Sequence, residues 1–307
     1  MNTPTTRFRR LAGALCAVTL VAFGLPWGAS PDLQAQDQVL FLSVTDESGV
    51  PVTDLTDEEV VVQLDGEESE IREFVSIDWP VKVTVYVDNS NDDVLDDIRA
   101  GLKALIQEVP GGIEMGLASI SDEITWVTEH TADKAALEVG IDAIEEKNDD
   151  TYFLDALIEE AGKIAADTRR EYFPVVVMVT TDGDDTSDSE QEAFVQALGQ
   201  LQANGATLHT RLLLTEDGNG AQSMQALVGS AGGQQMQGSY QDLAASTEFS
   251  AVLTALGKDI ARKHTLVSQQ YRVTYRPPSD ASAQPAISVG STREGLNVVP
   301  TLDGNAP

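Results

Sequence analysis

The sequence predicts an α/β protein: a doubly wound, mostly parallel sheet inserted into a small β-sandwich built from the two ends of the chain. Three observations predict it. A β-branched run at Val81–Val87 reads as a buried strand, and the apolar run Val175–Val179 shows no alternation, which marks a strand buried on both faces. Between and after them, stretches of helical period alternate with short strands, the pattern of a parallel sheet covered by helices. On either side of this region the chain turns to short alternating β segments, at residues 37–79 and 267–300.

The elements follow in order. Val39–Val44 is apolar and β-prone, and Asp46-Glu-Ser-Gly49 is a turn signal. Val60–Leu64, Asp65-Gly66 and Ile71–Val75 read as a hairpin, because Asp-Gly supplies positive φ angles. Val94, Ile98, Leu102 and Leu105 line a first helix, with Asp92 or Asp93 as its expected N-cap. Residues 113–120 and 124–128 form two short strands, antiparallel because the link is so short. Leu137, Ile141 and Ile144 suggest a second helix; Phe153, Leu157, Ala161 and Ile164 a third; Phe194, Leu198 and Leu201 a fourth, ended by Asn204-Gly205. Thr207–Leu214 is a strand, Met224–Val228 a short helix, and Gly229–Gly233 a loop. Phe249 to Ile260 marks a long last helix. Gln270–Tyr275, Ala286–Val289 and Leu296–Val299 are strands expected to pair with the amino-terminal ones, and the tail 301–307 is expected to fray. The expected domains are thus 36–79 and 267–300 as one β-module, with 80–266 as the α/β domain.

Residues 1–35 read as an export signal. Arg7, Arg9 and Arg10 precede an apolar stretch, Leu11–Leu25, too short to span a bilayer, and Leu33-Gln-Ala35 is a cleavage site. The expected location is periplasmic or secreted, with no membrane span after cleavage. Cys16, the one cysteine among 307 residues, leaves with that segment, so thiol catalysis and thiolate zinc sites are excluded from the mature chain. The formal net charge of -31 argues against nucleic acid as a partner, since phosphates need a basic face. No Gly-x-Ser-x-Gly, phosphate-binding Gly-Lys loop or His-Glu-x-x-His occurs, and His130, His209 and His264 stand apart in sequence.

The chemistry gathers elsewhere. The strand Val81–Val87 delivers Asp88, Ser90 and Asp92 to its carboxyl end, and Phe173–Thr181 delivers Asp182, which Gly183, Asp184 and Asp185 follow. Asn148-Asp-Asp-Thr151 lies at the mouth of a helix between them. In open α/β sheets ligands bind beyond the carboxyl ends of strands. Oxygen-bearing side chains in three such loops suit a hard divalent cation.

Asp88-Asn-Ser90, Thr151 and Thr181-Asp-Gly183, in that order, resemble the metal-ion-dependent adhesion site of a von Willebrand factor type A (VWA) domain, whose fold is Rossmann-like. The flanks Ser43–Leu55, Leu64-Asp-Gly66, Ile71–Phe74, Tyr271–Pro278 and Ile287–Val298 are similar to those of bacterial VWA-related exported proteins. The resemblance implies a metal set of Asp88, Ser90, Asp92, Thr151 and Asp182 holding Mg²⁺, or Ca²⁺ or Mn²⁺. It also implies a protein partner engaged through an acidic side chain, and adhesion or assembly rather than catalysis. Asp92 departs from the pattern, which has Ser there; a further direct carboxylate blunts the ion's pull on a partner's carboxylate. Asp88→Ala is expected to abolish metal binding without unfolding the domain. A metal-assisted hydrolase using the same acidic rim, and a metal-free scaffold, are the alternative readings.

Overall fold

The computed structural model describes residues 18–20, 37–147, 150–189, 191–279 and 285–305. They fall in two compact units: residues 1–76 with 271–301, and residues 77–270 with 302–307.

The first unit is a sandwich of two four-stranded sheets. One takes β1 (Val18–Leu20), β13 (Ile287–Ser291), β3 (Val60–Leu64) and β4 (Glu67–Glu68) in that order; the other takes β14 (Leu296–Thr301), β2 (Gln38–Asp46), β12 (Gln270–Arg276) and β5 (Glu70–Ile77). Leu40, Leu42 and Val44 meet Val60, Val62 and Leu64 across the sandwich, joined by Tyr271, Val273, Tyr275 and Val289 from the far end of the chain. Both chain ends therefore build one core. Asp65 and Gly66 take φ of 52° and 88°, as the turn requires. The hairpin itself differs from expectation. Its return strand is Glu67–Glu68, and Ile71–Val75 lies in the opposite sheet, because the chain crosses at Ser69. Val18–Leu20 of the expected export signal runs antiparallel to β13. The remainder of that signal, its cleavage site included, lies outside the described residues.

The second unit has a six-stranded sheet ordered β11 (Ser239–Leu243), β10 (Thr207–Leu213), β9 (Phe173–Thr181), β6 (Val81–Val87), β7 (Met115–Ser119), β8 (Thr125–Thr131). All pairings are parallel except β7 with β8. Strand β9 is buried along its whole length, as its unbroken apolar run dictates. One face of the sheet, through Tyr86, Val176 and Met178, packs against α3 (Phe153–Ala166) and α4 (Gln191–Ala203). Helices α1 (Asp92–Glu108) and α6 (Phe249–Val267) pack closely on each other, and α2 (Lys134–Asp142) lies beside α1.

Three local expectations are corrected. Helix α1 is capped by Asn91, whose side chain accepts from the Asp93 amide at 3.0 Å, so neither Asp92 nor Asp93 is the cap. Met224 begins a helix, α5 (Met224–Gln235), that continues through the expected glycine loop. Gly229 and Gly232 press against Thr210 and Leu208 so closely that an added Cβ would need a shift, and Gly233 stands tightly against Ser239, so packing overrides their weak helix propensity. The tail does not fray over its described residues, 301–305. Asn305 is buried, and its side chain meets Lys263, Thr207, Ala206 and Met236.

Candidate metal centre

Asp88 follows β6 and Thr180–Asp182 ends β9, and these are the adjacent strands at which the sheet order reverses, since β6 also pairs with β7 on its other side. A crevice at such a switch point is where open α/β sheets bind ligands.

Asp88 is the hub. It is 1% exposed and accepts six hydrogen bonds. Oδ1 takes the Ser90 amide at 3.0 Å, the Ser90 hydroxyl at 2.6 Å and the Ser121 hydroxyl at 3.1 Å. Oδ2 takes the Thr180 hydroxyl at 3.1 Å, and from Thr181 the amide at 3.1 Å and the hydroxyl at 3.0 Å. Three segments, 88–90, 121 and 180–181, are thus tied to one carboxylate. Asn89 reinforces the tie: its amide donates to Ser121 Oγ at 3.0 Å and its side chain to the Glu145 carbonyl at 2.5 Å.

Thr151 joins through backbone. It bridges to Ser121 on one side and to Asp185 on the other, and is 2% exposed. Its carbonyl accepts from the amide and hydroxyl of Thr186 at 2.8 and 3.1 Å. The residue that enters α3 is Tyr152, not Thr151, so Thr151 does not serve as that helix's cap. Asp185 serves the helix end instead: its Oδ1 accepts from the Phe153 amide at 3.2 Å and from Ser187 Oγ at 2.8 Å. Burial raises the Asp185 pKa, against which these hydrogen bonds act.

Asp182 is buried beside Thr181, but its carboxylate turns to the loop after β10. Oδ1 accepts from the Thr215 amide and hydroxyl, both at 2.8 Å, and Oδ2 from the Gly220 amide at 2.8 Å. Gly218 lies against that carboxylate so closely that a Cβ there would occupy its place. Asp92 is exposed in the first turn of α1. Asp184 accepts from the Asn219 side chain at 2.9 Å. Among the described residues no three His, Cys, Asp or Glu side chains converge as a metal cage. The structure therefore joins Asp88 and Ser90 directly, Thr151 by way of Ser121, and Asp182 by way of Thr181. Asp92 stays outside the network.

The donor set fits a hard cation. It is oxygen throughout, with hydroxyls outnumbering carboxylates. The hydroxyls of Ser90, Ser121 and Thr181 each spend their one hydrogen on Asp88, and that of Thr180 is shared between Asp88 and the Thr181 carbonyl; of the four only Ser90 is not buried, so its lone pairs are the ones left toward solvent. Neither Asp88 nor Asp182 is ion-paired to Lys, Arg or His among the described residues. The rim is anionic as well. Tyr152 has its pKa raised by burial first, then by Asp150, Asp188, Asp122 and Asp155.

Ser121, Thr180, Thr181 and Thr215 were not singled out as site residues from sequence. Ser121 reads as a turn between two short strands. The threonine pair that closes an otherwise apolar β9 is the one available signal for Thr180 and Thr181.

No protein-family model matches the chain, and no curated protein does. Among solved structures, the chain is similar to a von Willebrand factor type A protein from Catenulispora acidiphila, at 12% identity and a TM-score of 0.49, over 87% of this chain and 74% of that one. It is similar to the vWF domain of the type V pili tip protein Mfa5 from Porphyromonas gingivalis, at 13% identity and a TM-score of 0.46, over 61% of this chain and 96% of that one. BatB from Bacteroides thetaiotaomicron matches at 14% identity and a TM-score of 0.43, over 59% of this chain and 98% of that one.

Proposed function

We infer that the cluster centred on Asp88 binds a divalent cation, Mg²⁺ or alternatively Mn²⁺ or Ca²⁺, and that the cation engages an acidic side chain of a protein partner. The reading rests on one observation: a buried carboxylate without a cationic neighbour takes the protons of three surrounding hydroxyls and shares that of a fourth. Ser90 offers its oxygen directly. Asp182, already accepting three hydrogen bonds, acts through water. Thr151 joins from the second loop. Asp92, exposed on the rim, adds negative field and weakens the pull on a partner's carboxylate, and a further oxygen there is one that Ca²⁺, with its looser geometry, would tolerate. The role is adhesion or assembly by an exported protein, without catalysis. No helix among the described residues is long and apolar enough to cross a membrane.

Ser90→Ala is the variant of choice, because Asp88 holds too many donors to be removed cleanly. Calorimetric titration of metal-free protein with Mn²⁺, Mg²⁺ and Ca²⁺ is expected to show one saturable site in the native chain, weakened roughly tenfold or more in Ser90→Ala. Equal affinity in the two proteins would dispose of the reading.

A further inference from the structure

A second polar site lies at the other end of the same sheet. The amino-terminal halves of β6 and β9 and the carboxyl end of the antiparallel β8 border a cavity of about 160 Å³. Lys82 and Thr84 reach it from β6, His130 from β8, Glu160 and Lys163 from α3, and Tyr172 from the residue before β9.

Its floor is preorganised. Glu160 is 5% exposed and accepts from the Thr84 hydroxyl at 2.8 Å and the Tyr86 hydroxyl at 3.0 Å, so donors hold both its oxygens. With its proton on Glu160, Thr84 Oγ1 accepts from His130 Nε2 at 3.0 Å, which fixes the ring as the Nε2–H form. Gly116 makes room for the ring: a Cβ there would stand 3.0 Å from His130 and 2.7 Å from Trp126.

Its walls are cationic. The Lys163 ammonium sits 4.2 Å from the Trp126 ring centroid, and the Lys82 ammonium 5.0 Å from that of Tyr172. Aromatic faces position a cation without cancelling its charge. Their carboxylate partners, Glu159 at 2.5 Å and Glu114 at 3.4 Å, stand on the exposed side. Both ammoniums reach His130: burial first, then Lys82 and Lys163, bring its pKa down to about 4. The residues that line the cavity thus bring two lysines against one carboxylate, Glu160, in a chain of formal charge -31, while Glu159 and Glu114 pair with the lysines from outside that lining. The volume falls below the ~300–1,000 Å³ of sites for drug-sized molecules, so the occupant is small.

We propose that this cavity binds a small oxyanion between the ammonium groups of Lys82 and Lys163, at a site separate from the Asp88 cluster. The probe is sodium sulfate, titrated calorimetrically into the full chain in metal-free buffer, with sodium chloride as the ionic-strength control. Acetate forms a second arm that separates tetrahedral oxyanions from carboxylates. Saturable binding of sulfate or acetate is expected, weakened roughly tenfold or more in Lys82→Gln and in Lys163→Gln and unchanged in Lys258→Gln, an exposed lysine on α6. Glutamine keeps the aliphatic stem and its ring contact. The His130 ring resonances of the native chain are expected to shift along the same saturation curve, which tests the site without any substitution. Absence of saturable binding by both anions overturns the proposal. So does equal affinity in all three variants, or anion binding that leaves the His130 resonances unmoved.

Discussion

Removing the Asp88 carboxylate tests the hub most directly. Two of its six donors are backbone amides, of Ser90 and Thr181, which have no rotor with which to find another acceptor. A buried donor left unsatisfied costs about 1–3 kcal/mol. Asp88→Ala should therefore cost about 2–6 kcal/mol from these two amides. The four hydroxyls can rotate toward water or one another and add less. Relief from burying a charge with no cationic neighbour works the other way and trims the total. Asp88→Asn keeps one carbonyl oxygen and the shape, and should cost about half as much. Urea unfolding of all three proteins in chelator, with unchanged m-values, measures this. The expectation from sequence that Asp88→Ala spares the fold is accordingly revised. An Asp88→Ala protein within about 1 kcal/mol of the native one would refute the hub assignment. The same proteins bear on the cation. At a hundred times its dissociation constant, a bound metal adds about 2.7 kcal/mol to the native chain, and Ser90→Ala, binding roughly tenfold more weakly, should forgo about half of that gain or more.

Three further outcomes are expected. His209 is buried, and its pKa is pushed down to about 3 by burial first, then by Arg211 and Lys263. The unfolded chain, titrating near ~6.5, then binds more protons than the folded one below that pH. The associated stability is fully present above pH ~6.5 and is lost as pH falls toward 3, about 2 kcal/mol of it between pH 7 and 5. Denaturation of His209→Gln at both pH values should show that much less acid sensitivity than the native chain, and an equal loss in both would contradict it. Gly218→Ala would drive a methyl group into the Asp182 carboxylate, so a destabilisation of about 1–3 kcal/mol, with weakened Mn²⁺ binding, is expected by urea unfolding and calorimetry. In the β-sandwich unit, the Tyr271 hydroxyl donates to the Val52 carbonyl at 3.0 Å and accepts from the Leu55 amide at 2.9 Å. Tyr271→Phe should therefore lower stability by about 1–3 kcal/mol, read from the urea midpoint.

How much of this was legible in the sequence depends on whether a feature is periodic. Strand β9 announces itself because burial on both faces removes alternation, β6 by its β-branched run, and the helices because their apolar residues recur on one face. Asp88, Ser90 and Asp182 could be placed at strand ends for the same reason: the apolar run sets where the strand stops, and the oxygen cluster begins there. What the side chains then do is not periodic. Asp88 gathers donors 33 and 93 residues away, at Ser121 and Thr181. The Asp182 carboxylate turns to Thr215, also 33 residues on, and not directly to Asp88. Loop against loop decides those directions, and no local pattern encodes them. The glycines of α5 and the buried Asn305 are of the same kind, since neighbours remote in sequence override a local signal for loop or fraying. A motif can therefore name the groups that meet, while the number of donors on each carboxylate decides which of them is free to take a ligand. By that count Asp88 is the anchor, and Ser90, with its proton spent and its side chain at the edge of solvent, is the residue the proposed cation would meet.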